Sequence, residues 1–422
     1  MSIRLPEPSS LAPEYQLLLL AARDPDHPPD TGRLAALCAG DLDWDFLLRA
    51  AREHRLTPLL HHWLNRLGVE GVPTSFRERL TVQAKGDALN VMGLVTHLKE
   101  IRAAFDAGGI PVVFLKGPIL GRMAYGSMAL RPSSDLDLLV AERDRARAID
   151  LLRERLGFDM DAHRLDRLSP RRRKHLLHHT HEATLGHSRA GLVLDLHWRA
   201  SKFDRTQFSD WETFHSRRQE VEMAGETYPY LGTCDLVVYL ACHGARHHWQ
   251  RLFWLNDLAV LIRRWPDLDW GAVLDRAVEM GEQRALLVGF ALAHHCFEVP
   301  LPRPFAEALA DEPMVAGMAE RIFRVLFAQT GPQAELPVHL PAFSMARWTF
   351  DLTPAFSKRF ALTLKFLLVP NRRDWESLSL PDFLFPAYYV LRPPRLVWQY
   401  ALRPLFRPGS RRKTAKPLEH GS

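Results

Sequence analysis

Between Ser133 and Val140 the chain reads Ser-Ser-Asp-Leu-Asp-Leu-Leu-Val, and this octet restricts the fold more than any other stretch. An apolar run headed by two carboxylates one residue apart suits a buried strand. The strand period of two turns Asp135 and Asp137 to one face and Leu136 and Leu138 to the other. Carboxylates held that close repel each other unless positive charge lies between them, and oxygen-seeking Mg²⁺ is the usual solution. Upstream, Ile110-Pro-Val-Val-Phe-Leu-Lys116-Gly117 reads as a second strand ending in a cation and a flexible turn. Downstream, Gly191-Leu-Val-Leu-Asp195-Leu-His197-Trp198 reads as a third strand with one more acid.

The rest of the chain is that of an ordinary globular protein, with 422 residues, 47% apolar and 25% charged. That length holds about two or three domains. Cys38, Cys234, Cys242 and Cys296 are scattered without zinc-knuckle spacing, which favours a reduced, cytoplasmic setting. Met1-Ser-Ile-Arg-Leu-Pro-Glu-Pro lacks a signal-peptide layout. No run approaches the roughly 20 apolar residues that span a bilayer, so a soluble protein is expected. The net charge of +6 is mild and gathered in local clusters, and alone it does not argue for nucleic acid.

Apolar spacing predicts helices over residues 14–105, with Asp43 or Asp45 capping the second and one long helix from Phe76 to Ala107. From Ile110 the pattern alternates: strand 110–116, helix 118–125, strand 135–140, helix 142–156, a short strand near Phe158, then strands 182–187 and 192–198. Residues 232–295 return to helix, and 300–386 read as mixed, mainly helical and proline-rich. The expected organisation is an N-terminal helical region (1–107), an α+β core (108–230), a helical C-terminal domain (231–390) and a basic, partly disordered tail (391–422).

Nucleotidyl transfer needs a pair of divalent ions held by acids that converge on one spot, and Asp135, Asp137 and Asp195 fit that requirement as metal ligands and catalytic groups. Lys116-Gly117, at a strand-to-helix junction with Pro118 at the first helical position, suits phosphate binding by backbone, helix terminus and a point charge. Arg131 either binds phosphate or pairs with an active-site acid. Ser134 either helps to hold a triphosphate or caps the strand entry. His197 shares the face of Asp195, as an accessory group or as a buried hydrogen-bonder.

Several fragments occur in order: Phe114-Leu-Lys116-Gly117, Tyr125, Arg131, Asp135-Leu-Asp137-Leu-Leu-Val140, Leu194-Asp195-Leu-His197-Trp198, and Cys242-His-Gly-Ala-Arg-His-His-Trp249 running into Arg251-Leu-Phe-Trp-Leu-Asn-Asp257. As a set they resemble a family of bacterial nucleotidyltransferase-like proteins found among polysaccharide or peptide biosynthesis genes, over about residues 14–300. The resemblance implies a polymerase-β-like palm, a small mixed sheet with flanking helices, holding Mg²⁺ or Mn²⁺ and using an NTP as substrate. It implies metal binding by Asp135, Asp137 and Asp195. The wider superfamily places Gly-Ser before its first palm helix. Gly126-Ser127 has those residues without a preceding strand, whereas Lys116-Gly117 has the strand, and the latter register is adopted.

His243 and His247, one helical turn apart, border the expected cleft or pack against the palm. The Arg/His-rich stretch 170–181 is either a patch for a polyanion or a solvated face. The tail from Leu391 to Lys416 carries eight Arg/Lys and no acid, interleaved with Trp398, Tyr400, Leu405 and Phe406, so peripheral contact with the inner membrane is a candidate role. The leading expectation is an Mg²⁺-dependent nucleotidyltransferase moving an NMP to a hydroxyl or phosphate acceptor of unspecified kind. A non-catalytic nucleotide-binding scaffold and a toxin–antitoxin-type enzyme acting on RNA or protein are the alternatives.

Overall fold

Strand β2 (Asp135–Val140) is flanked on one side by β1 (Val112–Phe114), antiparallel, and on the other by β4 (Leu192–His197), parallel. The computed structural model describes residues 5–159, 168–187, 191–199, 211–328, 342–353 and 356–399. Three more strands, β3 (Glu182–His187), β5 (Gln219–Met223) and β6 (Glu226–Tyr230), complete a mixed six-stranded sheet in the order β3-β4-β2-β1-β6-β5. The strands over 135–140, 182–187 and 192–197 lie where residue alternation puts them. Leu136, Leu138, Leu194, Leu196, Ala183 and Leu185 are buried as one apolar face, and the acids share the other.

The β5–β6 hairpin was not expected, and its sequence explains why. Gln219-Glu-Val-Glu-Met has two acids in five residues, and Pro229 lacks the N–H a strand uses. Its turn residues, Ala224 and Gly225, have φ of +53° and +82°, and alanine is a poor signal for a turn that needs positive φ. The short strand near Phe158 reduces to one bridge, Asp159 with Gly186.

Helices α1 (Pro13–Ala21), α2 (Thr31–Cys38), α3 (Trp44–Glu53), α4 (Thr57–Arg66) and α5 (Thr74–Ala107) precede the sheet, as the apolar spacing predicts. The Asp43 side chain caps α3 by accepting from the Phe46 N–H. Helix α6 (Pro118–Tyr125) follows β1, α7 (Arg145–Leu156) follows β2, and α8 (Pro170–His179) and α9 (Trp211–Arg217) lie in the later connections. Beyond the sheet come α10 (Thr233–Arg246), α11 (Leu252–Arg264), α12 (Trp270–Met280) and α13 (Gln283–Phe297). Then follow α14 (Arg303–Ala310), α15 (Pro313–Leu326), α16 (Ala342–Leu352), α17 (Phe356–Leu368), α18 (Arg372–Ser377) and α19 (Ala387–Val397).

One continuous apolar core joins α1–α5, the sheet and α10–α15. The basic stretch 170–181 is largely helix α8, which packs through Leu176 against a second cluster of Trp375, Phe385 and Tyr388. Helix α19 runs through Pro393 and Pro394, with Arg392 buried against Asp374. The tail beyond residue 399 lies outside the described residues. Among the described residues no helix is long and apolar enough to cross a membrane.

A buried ion pair ties the loop before β2 to α11. Arg131 donates from Nε and a terminal nitrogen to the two oxygens of Asp257, both at 2.9 Å, and Tyr125 donates to the same carboxylate at 2.8 Å. Removing one partner strands a desolvated charge, which costs about 3–5 kcal/mol. Asp257→Ala is therefore expected to lower unfolding stability in urea by about that much, while the double variant Arg131→Met/Asp257→Leu recovers most of the loss. Equal destabilisation by the single and double variants would contradict this account.

Candidate active site

Register places the acids. In the parallel β2–β4 pair Asp137 stands opposite Asp195, and in the antiparallel β3–β4 pair Thr184 stands opposite Asp195 and Glu182 opposite His197. Asp135, Asp137, Asp195, His197, Thr184 and Glu182 thus form rows on one sheet face. Asp135, Asp137 and Asp195 each present an oxygen, and these oxygens lie within 4.8 Å of one another.

Lys116 follows β1 by two residues. Its Nζ is 3.1 Å from Asp137 Oδ1 and 3.9 Å from Asp135 Oδ2. Gly117 makes the turn into α6 with φ +70° and ψ −141°, a conformation that glycine adopts without strain, and Pro118 opens the helix. Gly126 instead ends α6 in the left-handed region, so the strand-to-helix turn is the one at Lys116-Gly117.

His197 Nε2 lies 3.3 Å from Asp137 Oδ1, and Thr184 donates to Asp195 Oδ1 at 2.6 Å. The second oxygen of Asp137, Oδ2, is buried without a hydrogen-bond partner. A carboxylate with one buried oxygen left bare, grouped with two further acids, is an anionic donor set of the kind that hard divalent cations take. The residues present fit Mg²⁺ or Mn²⁺.

The charges respond to this crowding. Burial works against ionising Asp137, but Lys116 and His197 outweigh it and hold that carboxyl below its usual range. At Asp195, burial followed by the charge of Asp137 outweighs the opposing effects of His197 and of the Thr184 hydrogen bond and pushes its carboxyl up to about 6.

Arg131 spends its guanidinium on Asp257, with its remaining nitrogen near the Gly117 carbonyl and Ser133 Oγ at 3.5 and 3.3 Å. Of its two expected roles, the geometry pairs it with an acid, one on α11. Ser134 lies 3.3 Å from Asp135 Oδ1 and accepts from Arg55 at 3.0 Å. His243 and His247 belong to an aromatic group, with His247 stacked on Trp254 at 5.0 Å and His243 4.7 Å from His247. Burial followed by the Lys116 charge lowers His243 well below its ordinary value, and burial followed by the Arg246 charge lowers His247 to about 4.

Arg55 escaped sequence reading. It sits between α3 and α4 with φ +55°, an uncommon state for a residue with a β-carbon, and its guanidinium lies 5.3 Å over the Phe253 ring. Arg251, at the start of α11, is half-buried, and burial lowers it while Glu53 and then Asp135 oppose that. Burial and then Arg251 lower Arg55 to about 10, so both stay charged at neutral pH near Asp135. Arg55 lies in no recognisable motif, and Arg251 opens the Arg251-to-Asp257 fragment without a signal of its own. Thr184 and Glu182 also escaped, although their alternation on β3 with Ala183 and Leu185 buried was a usable signal.

A family model described as an uncharacterised nucleotidyltransferase matches residues 40–298, more than half of the chain. The chain belongs to this family. The matched span contains Arg55, Lys116, Asp135, Asp137, Asp195, Arg251 and Asp257. No curated protein and no solved structure matches the chain.

The raised Asp195 carboxyl has a sign that can be tested. The folded chain holds this proton up to about pH 6, whereas an unfolded aspartate loses it near 4, so ionising Asp195 weakens the fold as pH rises through that window. A bound divalent cation reverses the penalty by favouring the ionised form. Mg²⁺ is therefore expected to raise the melting temperature more at about pH 7.5 than at about pH 5, by several degrees. Asp195→Asn is expected to remove the Mg²⁺ effect. An equal Mg²⁺ shift at both pH values would contradict it.

Proposed function

We propose that this chain is a divalent-cation-dependent nucleotidyltransferase that moves an NMP from an NTP to a hydroxyl or phosphate acceptor, on a polymerase-β-like palm. The observation that carries the reading is the convergence of Asp135, Asp137 and Asp195 within 4.8 Å, with one buried Asp137 oxygen bare. When bound, paired ions would neutralise the three acids, grip the triphosphate and activate the acceptor oxygen.

The chain's own groups have separable tasks. Asp135 and Asp137 hold cations, while Lys116 and the Gly117 turn present positive charge to phosphate at the start of α6. Arg55 and Arg251 form the basic wall beside Asp135. Thr184 orients Asp195, which takes the acceptor proton on its way to solvent. The acceptor oxygen then bonds to the α-phosphorus, the bridging P–O bond breaks and pyrophosphate leaves. The half-exposed Trp254 and the uncharged His243 and His247 rings border the same cleft.

A second reading rests on Lys116, whose ammonium already neutralises Asp137 at 3.1 Å. In it the fold persists as a nucleotide-binding scaffold without turnover. Pyrophosphate release with each NTP, alongside calorimetric titration with Mg²⁺, separates the two, and labelled product on RNA or protein would identify a macromolecular acceptor. Under the enzymatic reading Asp137→Ala loses both Mg²⁺-dependent NTP binding and turnover. Arg55→Ala raises KM roughly tenfold or more while kcat changes little, the loss of a charge-assisted phosphate contact. Equal NTP binding by wild type and Asp137→Ala defeats this assignment.

Peripheral membrane contact is also proposed, supported by Phe360, Phe383, Val390 and Trp398, which are 55–76% exposed, and by the basic sequence that follows. Pelleting with anionic but not neutral vesicles is the expected result, and no pelleting with either removes the proposal.

A further inference from the structure

On the same sheet face, one row beyond the acids, His181, Glu182 and His197 form a second group. Each offers a ligand atom, and these lie within 4.8 Å of one another. Glu182 Oε2 is 3.0 Å from His181 Nε2 and 3.2 Å from His197 Nδ1. Donors bound tetrahedrally at about 2.0–2.1 Å from Zn²⁺ stand about 3.3 Å apart, so the spacing is already close to that of a coordination shell. His197 is buried at 2% exposure, and its Nδ1 makes no hydrogen bond despite facing Glu182.

His181 adds a conflict. Its Nε2 lies 3.0 Å from Glu182 Oε2 and also 3.0 Å from a terminal nitrogen of Arg246 on α10. One ring nitrogen either accepts from Arg246 or donates to Glu182, so a proton satisfies only one of the two contacts. A cation between Nε2, Oε2 and the bare His197 Nδ1 removes the clash between nitrogen and carboxylate, provided Arg246 turns aside. Asp137 supplies the last element. Its Oδ1 faces His197 Nε2 at 3.3 Å, the arrangement in which a ligating histidine donates its other N–H to a carboxylate.

We propose that His181, Glu182 and His197 form a transition-metal site, selective for Zn²⁺ over Mg²⁺, adjoining the three-acid site. Two imidazoles and one carboxylate are borderline-soft donors that favour Zn²⁺. Metal on His197 Nδ1 fixes the ring proton on Nε2, so His197 acts as a positioning residue that holds Asp137 Oδ1 and leaves the bare Oδ2 free for a cation. The site does not depend on nucleotidyl transfer, and its failure would leave the three-acid reading intact.

The test uses the full chain stripped with chelator, then titrated with Zn²⁺ alone and, separately, with Co²⁺ as an absorbing probe. One equivalent of Zn²⁺ is expected to bind, with intense visible Co²⁺ bands of low coordination number. Glu182→Gln, which preserves shape, and His181→Ala are each expected to weaken Zn²⁺ at least tenfold. Asp135→Asn/Asp195→Asn is expected to leave it unchanged, and Arg246→Met to leave it equal or tighter. Zn²⁺ binding unchanged in folded Glu182→Gln, or lost in the Asp135→Asn/Asp195→Asn double variant, overturns the site, as does no binding by wild type.

Discussion

Three carboxylate groups within 4.8 Å, two of them on one strand, set the terms for everything around them. Their mutual repulsion is imposed by backbone register, since parallel pairing puts Asp137 opposite Asp195 and strand alternation adds Asp135 to the same face. The chain compensates unevenly. Lys116 and His197 keep Asp137 ionised, while Asp195 is left to hold its proton up to about pH 6. That imbalance is what a divalent cation would correct, and it couples metal binding, protonation and stability in one place.

The surrounding architecture holds these charges in register. The Leu face of β2 and β4 is buried in the main core, so slipping either strand by one residue would drive the acids into apolar packing. The loop carrying Ser133 and Ser134 is pinned from two sides. Asn90 on α5 donates to the Ser133 carbonyl at 2.6 Å, and the Arg131–Asp257 pair fastens the loop to α11. Helices outside the sheet therefore hold the loop that leads into Asp135, and Arg251 reaches the site from the start of α11 and Arg55 from the α3–α4 connection.

What could be read from sequence follows from locality. The strands at 135–140 and 192–197, the Lys116-Gly117 turn and the long helix ending at Ala107 each carry their own periodic or turn signal. The β5–β6 hairpin did not, because acidic strands, an internal proline and an alanine at positive φ hide it. Arg131 was legible as an important cation, but its partner Asp257 is 126 residues away and spacing does not reveal it. Arg55 enters only through tertiary packing, whereas Glu182 carried a strand-alternation signal. The six-stranded sheet agrees with the α+β expectation, and family membership agrees with the resemblance.

The most direct measurement is anomalous diffraction from crystals of the full chain grown with Mn²⁺ and a non-hydrolysable NTP analogue. The account predicts anomalous density bounded by oxygens of Asp135, Asp137 and Asp195, with the triphosphate extending toward Gly117 and Arg55. Ordered nucleotide with no metal among these acids, and Lys116 still against Asp137, would contradict it.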